Sequence, residues 1–309
     1  MSDILYERRG AVAWITINRP EASNTLSPAA FVALADAWQE VRDDAEVRVA
    51  VLTGAGDRDF CCGGDLSGLI PLWSGVRQPQ NAVEERLLAD HAIADKMLLK
   101  GEPLYKPVVA AVNGRALGGG CELLQATDVR IAASHAQFGL PEPKVGIVPG
   151  GGSMVRLARQ LPYAHAMRLL LTGEPIDATT ALAWGLVSEV VAPHELGARA
   201  EAVAARIAAN APLALAAIKR TVLESHTEAW NAAFTREAQE SARVMMSRDA
   251  REGPRAFKEK REPQFTGEEG RWRRRYSSSP ASVRPRAWRS RRWPRPIRGA
   301  LRCGRNAAR

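Results

Sequence analysis

The hydrophobic positions near the start of the chain follow a strand period and then a helix period. Residues 11–18 (AVAWITIN) alternate and are rich in β-branched side chains, which predicts a strand. Ser27 and Pro28 suit the N-cap and first position of a helix, and apolar residues recur at helical spacing to about Asp43. Residues 47–53 form a second apolar run. A strand, a helix and a strand in this order predict a βαβ unit with a parallel sheet.

A glycine-rich loop follows the next apolar run. Val108 to Val112 is short and β-branched, which predicts a strand buried on both faces. Gly118, Gly119 and Gly120 then precede residues 121–126, which favour a helix. A helix N-terminus offers unpaired N–H groups and the positive end of the helix dipole, so this loop is suited to negative charge. The spacing matches neither the Rossmann pattern nor a P-loop, so we expect a carbonyl-type oxyanion rather than a nucleotide phosphate.

A second glycine pair, Gly63-Gly64, also lies after a strand and before a predicted helix. Two backbone N–H donors aimed at one point are a common means of holding an oxyanion, and each is worth roughly 3–4 kcal/mol of transition-state stabilisation. The alternative interpretation is that each loop is only a tight turn.

The composition is that of an ordinary globular chain, with 309 residues, 46% hydrophobic and 25% charged. No apolar run approaches the ~18 residues of a membrane span, and residues 1–3 do not begin a signal peptide, so we expect no membrane association. Four cysteines, two of them adjacent, form no disulfide framework, which indicates a reducing cytoplasm. Neither an HExxH nor a CxxC pattern is present, so we expect no metal.

The positive charge is concentrated at the C-terminus. The net charge of +9 would by itself suggest a nucleic-acid partner. However, residues 271–309 contain 14 Arg and no Lys, Asp or Glu, whereas residues 1–270 carry 29 basic and 34 acidic residues, a net charge of −5. We expect a disordered tail after residue 265, in which Arg with interleaved Trp is suited to bind RNA or an anionic surface. The alternative is an out-of-frame extension of a GC-rich gene.

Taken together, these motifs resemble the crotonase superfamily, also called the enoyl-CoA hydratase/isomerase family. The resemblance covers essentially residues 5–265. The matching segments are residues 18–20 (NRP), 24–26, 52–54 (LTG), 60–66 (FCCGGDL), 106–122, 138–142 (FGLPE), 146–152 (GIVPGGG), 171–173 (LTG), 185–187 (GLV) and 252–265.

The resemblance implies an α/β fold, a crotonase-like spiral of ββα units with a C-terminal helical trimerisation region. We expect the spiral core and active site over residues 1–195, helical oligomerisation segments over 196–265, and the Arg/Pro/Trp-rich tail over 266–309. The composition itself predicts four helices in the second region, over 196–209, 212–227, 230–246 and 249–261. The resemblance further implies a homotrimer or a dimer of trimers, an acyl-CoA substrate of fatty-acid β-oxidation, and no cofactor, since coenzyme A is part of the substrate.

The resemblance also assigns catalytic roles to four residues. The backbone N–H groups of Gly64 and Gly119 hold the thioester oxygen, and the two glutamates of family hydratases correspond to Glu122 and Glu142. Syn addition of water needs a base and an acid, which two carboxylates supply. Considered alone, Glu122 is equally an acid that complements a helix dipole, and Glu142, flanked by prolines that hold it out of regular structure, is equally a solvated loop acid.

The substrate-binding residues that the resemblance implies are Ala22, Cys62, Asp65, Leu66 and Lys260, together with the two catalytic glycines. The lysine matches a family lysine that approaches the CoA nucleotide, often from a neighbouring subunit. The alternative is an ordinary lysine on an exposed terminal helix.

A third glycine loop, residues 146–152, forms a wall of the active site by resemblance. Many hydratases have Gly-Thr-Gln after this loop, whereas this chain has Ser153-Met154-Val155, so the acyl preference stays open. The expected activity is enoyl-CoA hydration. The alternatives are an enoyl-CoA isomerase or a specialised acyl-CoA dehydratase on the same fold and, outside enzymes, an RNA-binding protein that acts through the tail. A Clp-type protease shares the spiral, but no serine here lies in a G-x-S-x-G elbow.

Overall fold

The computed structural model describes residues 2–101 and 103–269, which form an α/β fold. The strands are β1 (Ile4–Arg9), β2 (Val12–Ile17), β3 (Val49–Gly54), β4 (Asp59–Cys61), β5 (Val108–Val112), β6 (Arg115–Leu117), β7 (Val129–Ala133), β8 (Gln137–Gly139), β9 (Ile176–Asp177) and β10 (Glu189–Val191). The α-helices are α1 (Pro28–Asp43), α2 (Leu69–Trp73), α3 (Ala82–Ala89), α4 (Ala92–Met97), α5 (Gly119–Leu124), α6 (Ser153–Gln160), α7 (Tyr163–Thr172), α8 (Ala178–Trp184), α9 (Leu196–Ala208), α10 (Pro212–Ser225), α11 (Trp230–Met245) and α12 (Asp249–Glu259).

The strands form two sheets. The larger sheet has the order β1-β2-β3-β5-β7-β10, in which β1 and β2 are antiparallel and the later neighbours are parallel. The smaller sheet has the order β4-β6-β8-β9. The predicted βαβ unit is confirmed, since α1 connects β2 to the parallel strand β3. The β5 run is buried along its whole length, as its uninterrupted apolar sequence predicts.

Consecutive strand pairs divide between the two sheets in a repeating manner. β3, β5 and β7 lie in the larger sheet, and each is followed within a few residues by a short strand of the smaller sheet, β4, β6 and β8 respectively. Helices follow each pair. The predicted spiral of ββα units is therefore confirmed, and its turns place the loops after β4, β6 and β8 side by side.

The larger sheet is covered on both faces. Because side chains alternate along a strand, Ile15 and Leu52 pack with α1 on one face, while Trp14 and Val51 pack with α9 on the other. The start of α1 follows its sequence signal, since the Ser27 hydroxyl accepts a hydrogen bond from the Ala30 N–H at 3.0 Å. The four predicted C-terminal helices are present as α9 to α12, each within two residues of the predicted ends.

One local expectation is wrong. Glu142 was expected to lie outside regular structure, but it begins a 3-10 turn, Glu142–Val145. Proline fixes φ at a helical value and is tolerated in the first turn of a helix, so the flanking Pro143 favours the turn rather than preventing it.

The predictions for the basic tail concern residues outside the described ranges, apart from residues 266–269. Within the described ranges no single helix is long and apolar enough to cross a membrane, and one bent pair, Pro193–Ala208 with Pro212–Ser225, meets that test by length and composition only. The division of the chain at residue 195 stays a prediction.

Candidate active site

The two predicted oxyanion loops lie directly against each other. A Cβ atom placed on Gly63 would lie 3.1 Å from the amide nitrogen of Gly119, and one placed on Gly119 would lie 3.7 Å from the amide nitrogen of Gly64. Gly119 is the first residue of α5, so its N–H has no partner within the helix. In the described part of the chain, neither the Gly64 nor the Gly119 N–H has a hydrogen-bond acceptor. Both donors are therefore available to one acceptor.

Close backbone contact explains the glycines around this point. A Cβ on Gly120 would lie 2.0 Å from the carbonyl oxygen of Cys61, which no side chain can occupy. Gly63 and Gly118 have φ values of +89° and +52°, which disfavour a side chain. The triple glycine therefore allows α5 to begin against the loop that follows β4.

A buried polar network fixes the loop that carries Gly64. Asn24 is fully buried, and its side-chain amide donates to the carbonyl oxygens of Ala55 (2.9 Å) and Asp59 (2.7 Å). Burial raises the pKa of the Asp59 carboxyl, but hydrogen bonds from Arg115 and Arg58 outweigh it and lower the pKa to about 2. This carboxylate therefore stays ionised and ties β4 to β6.

Glu122 is on α5, three residues after Gly119, and is only 5% exposed. The Ser153 N–H donates to its Oε1 atom at 3.2 Å. Burial raises the pKa of this carboxyl, and hydrogen bonds from Ser153 and Gly151 oppose that rise because they favour the ionised form. A Cβ on Gly151 would lie 2.5 Å from Oε2, so this position has no room for a side chain.

Glu142 reaches the same site from the loop after β8. A Cβ on Gly118 would lie 3.2 Å from its Oε1 atom, whereas its buried Oε2 atom has no hydrogen-bond partner among the described residues. Burial raises the pKa of Glu142 to about 7, and the nearby charge of Glu122 adds to the rise. At neutral pH this carboxyl is therefore poised between its two protonation states.

The two carboxylates and the two amides face one cavity of about 550 Å³, a size typical of small-molecule sites. The remaining wall is mostly apolar. Side chains from α1, α2, the loop before α1 and the end of α4 contribute most of it, namely Leu26, Phe31, Leu69, Ile70, Trp73 and Leu98.

The predicted substrate-binding residues divide into two groups. Cys62 and Leu66 line the cavity, as do both glycines, whereas Ala22, Asp65 and Lys260 are not among its lining residues. The Asp65 carboxylate instead accepts a hydrogen bond from the Ser67 N–H at 2.9 Å and forms an ion pair with Arg19. Lys260 is the C-cap of α12. Burial raises the pKa of the Cys62 thiol to about 12, so this sulfur is a poor nucleophile.

No chemistry could be assigned from sequence alone to residues 146–152 or to Ser153. The structure shows that this segment supplies the N–H donors of Glu122 and that Ile147 and Val148 line the cavity. The serine at position 153, where many hydratases have glycine, was the one sequence feature that pointed to this segment. Sequence spacing, however, does not reveal which carboxylate the segment contacts. In residues 2–101 and 103–269 no group of three His, Cys, Asp or Glu side chains is placed to hold a metal ion.

A spiral of ββα units with this pair of glycine loops at one cavity is the crotonase fold. Residues 7–268 match the enoyl-CoA hydratase/isomerase family, and the chain belongs to that family. Enoyl-CoA hydratase EchA19 of Mycobacterium tuberculosis is 43% identical over 263 residues, which are 85% of this chain and 96% of the relative. (E)-benzylidenesuccinyl-CoA hydratase of Thauera aromatica is 39% identical over 268 residues, 83% of this chain and 96% of the relative. The crystal structure of enoyl-CoA hydratase EchA1 from Mycobacterium marinum has a TM-score of 0.76 and 40% identity, covering 87% of this chain and 100% of that one.

Proposed function

We propose that the protein catalyses the reversible syn addition of water to a 2-enoyl-CoA thioester. One observation carries the proposal: two backbone amides without an acceptor among the described residues, the buried Glu122 carboxyl and the half-buried Glu142 carboxyl face a single, largely apolar cavity. The relatives described above support hydration, since both carry the name of a hydratase, although for different acyl groups. Both glutamates are present, which favours hydration over double-bond isomerisation.

The amides of Gly64 and Gly119 stabilise the charge that develops on the thioester oxygen. As water adds to the β-carbon, electron density moves through the α-carbon to this oxygen, which becomes enolate-like. Fixed N–H dipoles need no reorganisation at that moment, and removing one such donor typically costs 10²- to 10³-fold in kcat.

The hydrogen bonds of the two carboxylates distinguish their roles. Burial raises the pKa of Glu122, but it accepts N–H bonds that oppose this rise and favour its ionised form, and we therefore assign it as the base that removes a proton from water. Glu142, whose buried Oε2 has no partner among the described residues and whose pKa burial raises to about 7, retains a proton near neutral pH and delivers it to the α-carbon. The hydroxyl oxygen bonds the β-carbon, and exchange with solvent returns both carboxyls to their starting states.

The apolar wall favours an acyl group without charge in its inner part. The aromatic side chains of Phe31 and Trp73 meet edge to face, with ring centroids 5.0 Å apart, and so limit the cavity on that side. We therefore propose an uncharged acyl chain, whose length a panel of thioesters would determine.

Self-association is part of the same proposal. α10 and α11 expose large apolar side chains, including Ile218, Val222, Trp230 and Phe234, a pattern typical of a protein interface. A homotrimer, or a dimer of trimers, would cover them and would bring Lys260 of one subunit toward the CoA bound by another. Light scattering on the purified protein tests the subunit number. The cytoplasmic location stays a prediction from the sequence.

The test replaces each carboxylate with its uncharged isostere. Glu122→Gln and Glu142→Gln are each expected to lower the hydration rate by roughly 10²-fold or more, the usual contribution of a positioned acid or base. Loss of the conjugated enoyl-thioester absorbance measures the rate. Glu174→Gln, at an exposed carboxylate, is the matched control.

Near wild-type turnover in either variant would remove that residue from the mechanism. If only one variant is impaired and the enzyme shifts the double bond of 3-enoyl-CoA substrates, the protein is an isomerase instead.

A further inference from the structure

Ser153 contributes a buried hydroxyl where many hydratases have a glycine. It occupies the first position of the Gly-Thr-Gln that many hydratases have here, and its side chain is fully buried at the start of α6. A glycine at this position supplies only its backbone N–H to Glu122. Serine supplies the same N–H, at 3.2 Å from Oε1, and adds a hydroxyl beside the carboxylate.

The Gln125 side chain determines where that hydroxyl points its hydrogen. Gln125 is 2% exposed, and its Nε2 atom donates to the Cys121 carbonyl oxygen (3.1 Å) and to Ser153 Oγ (2.8 Å). A carbonyl is only an acceptor, so the amide nitrogen rather than the amide oxygen must face it. The Ser153 oxygen therefore accepts from Gln125, and its own hydrogen is free for the Glu122 carboxylate.

We propose that Gln125 and Ser153 are positioning residues, a relay in which the amide orients the hydroxyl and the hydroxyl keeps the adjoining Glu122 carboxylate aimed at the water. The proposal rests on the proposed function, because it needs Glu122 to be the base. The Gln125 backbone is itself fixed, since its carbonyl oxygen accepts from Gln160 Nε2 (2.9 Å) and from Arg130 (3.1 Å).

Other charged and titratable groups also act on Glu122, and the variants below leave them in place. The charge of Lys100, from the turn after α4, favours its ionised form. Arg156 on α6 and Glu142 on the opposite loop sense the Glu122 charge, as does the buried thiol of Cys121. A change that follows removal of the Ser153 hydroxyl is therefore assigned to that hydroxyl.

The experiment measures kcat/KM for an enoyl-CoA thioester from pH 4.5 to 9 in the full-length enzyme. Ser153→Gly and Ser153→Ala keep the N–H and remove the hydroxyl. A hydrogen bond to an ionised carboxylate favours that form, so its loss moves the acid limb of the profile upward by about one pH unit. The alkaline limb stays in place, because Glu142 does not contact this hydroxyl.

Gln125→Met tests the second member of the relay. It removes the amide at similar volume, and we expect a smaller upward shift of the same limb. In the Ser153→Ala background the Gln125→Met change is expected to move the limb no further, since the relay is already broken. A Gln125 effect of equal size in both backgrounds would contradict the relay.

If Ser153 has only a structural role, its variants lower kcat/KM at every pH and leave the acid limb of the pH profile in place. That result in both Ser153→Gly and Ser153→Ala would overturn the proposal. Failure of the proposed function is a separate outcome. In that case Glu122→Gln itself retains activity, whereas failure of the relay alone leaves Glu122→Gln inactive and the acid limb of the Ser153 variants unmoved.

Discussion

Replacing Glu142 with glutamine is expected to stabilise the folded protein at alkaline pH while it lowers the hydration rate by roughly 10²-fold or more. The cause is the buried Oε2 atom, which has no hydrogen-bond partner among the described residues. Ionising this carboxyl costs more free energy in the folded state than in the unfolded chain, because desolvation raises its pKa from 4.5 to about 7. Glutamine has no charge to desolvate.

The size of the effect follows from the linkage between proton binding and folding. The folded protein holds the Glu142 proton more tightly than the unfolded chain does, so this contribution to the free energy of unfolding is fully present below about pH 4.5 and is lost as the pH rises through about 7. A shift of about 2.5 units corresponds to about 3.4 kcal/mol. Because the carboxyl is partly open to solvent, we discount this to about 2 kcal/mol.

Urea unfolding at pH 5 and pH 8, at one protein concentration, measures the effect. The free energy of unfolding of Glu142→Gln relative to wild type should rise by about 1.5 kcal/mol between the two pH values, since part of the contribution is already lost at pH 5. Glu174→Gln, at an exposed carboxylate, should show no such change. An equal difference between Glu142→Gln and wild type at both pH values would refute the argument that Glu142 is destabilised by burial.

Three further predictions concern the glycine loop and the tail. Gly119→Pro removes one amide at a helix position that tolerates proline, so we expect a folded protein by circular dichroism with kcat lowered about 10²- to 10³-fold; normal turnover in a folded variant would exclude this N–H as an oxyanion donor. Gly120→Ala places a Cβ 2.0 Å from the Cys61 carbonyl oxygen, so we expect a lower melting temperature together with lost activity. Deleting residues 270–309 should leave hydration unchanged, whereas a large loss of activity would give the tail a role in the enzyme.

Long uniform patterns in the sequence predicted the main elements of the fold. The apolar run of β5 and the Ser27-Pro28 start of α1 needed only local information, because burial and capping act within a few residues. β1 was not predicted, since three of its six residues ILYERR are charged and its apolar residues do not alternate, and it forms by antiparallel pairing along β2 at the edge of the sheet. The strands β4, β6, β8 and β9 have only two or three residues, too few for any period to appear.

The site could be predicted in part. Glycines before a helix and two carboxylates at fixed sequence positions indicated its chemistry. The convergence of Gly63-Gly64 on Gly118-Gly119 could not be derived from spacing, because it depends on adjacent turns of the spiral and on contacts such as Gly120 against Cys61. The hydrogen bonds from Gly151 and Ser153 to Glu122 likewise join segments about 30 residues apart, as the 31-residue separation of the Ser153 bond shows.

A crystal structure with a saturated acyl-CoA, which resembles the substrate but has no double bond to hydrate, tests the central claim most directly. The account predicts that the thioester oxygen lies about 3 Å from the amide nitrogens of both Gly64 and Gly119, with the α- and β-carbons between the Glu122 and Glu142 carboxylates. A thioester bound in the cavity with its oxygen bonded elsewhere, and with the two carboxylates away from those carbons, would contradict it.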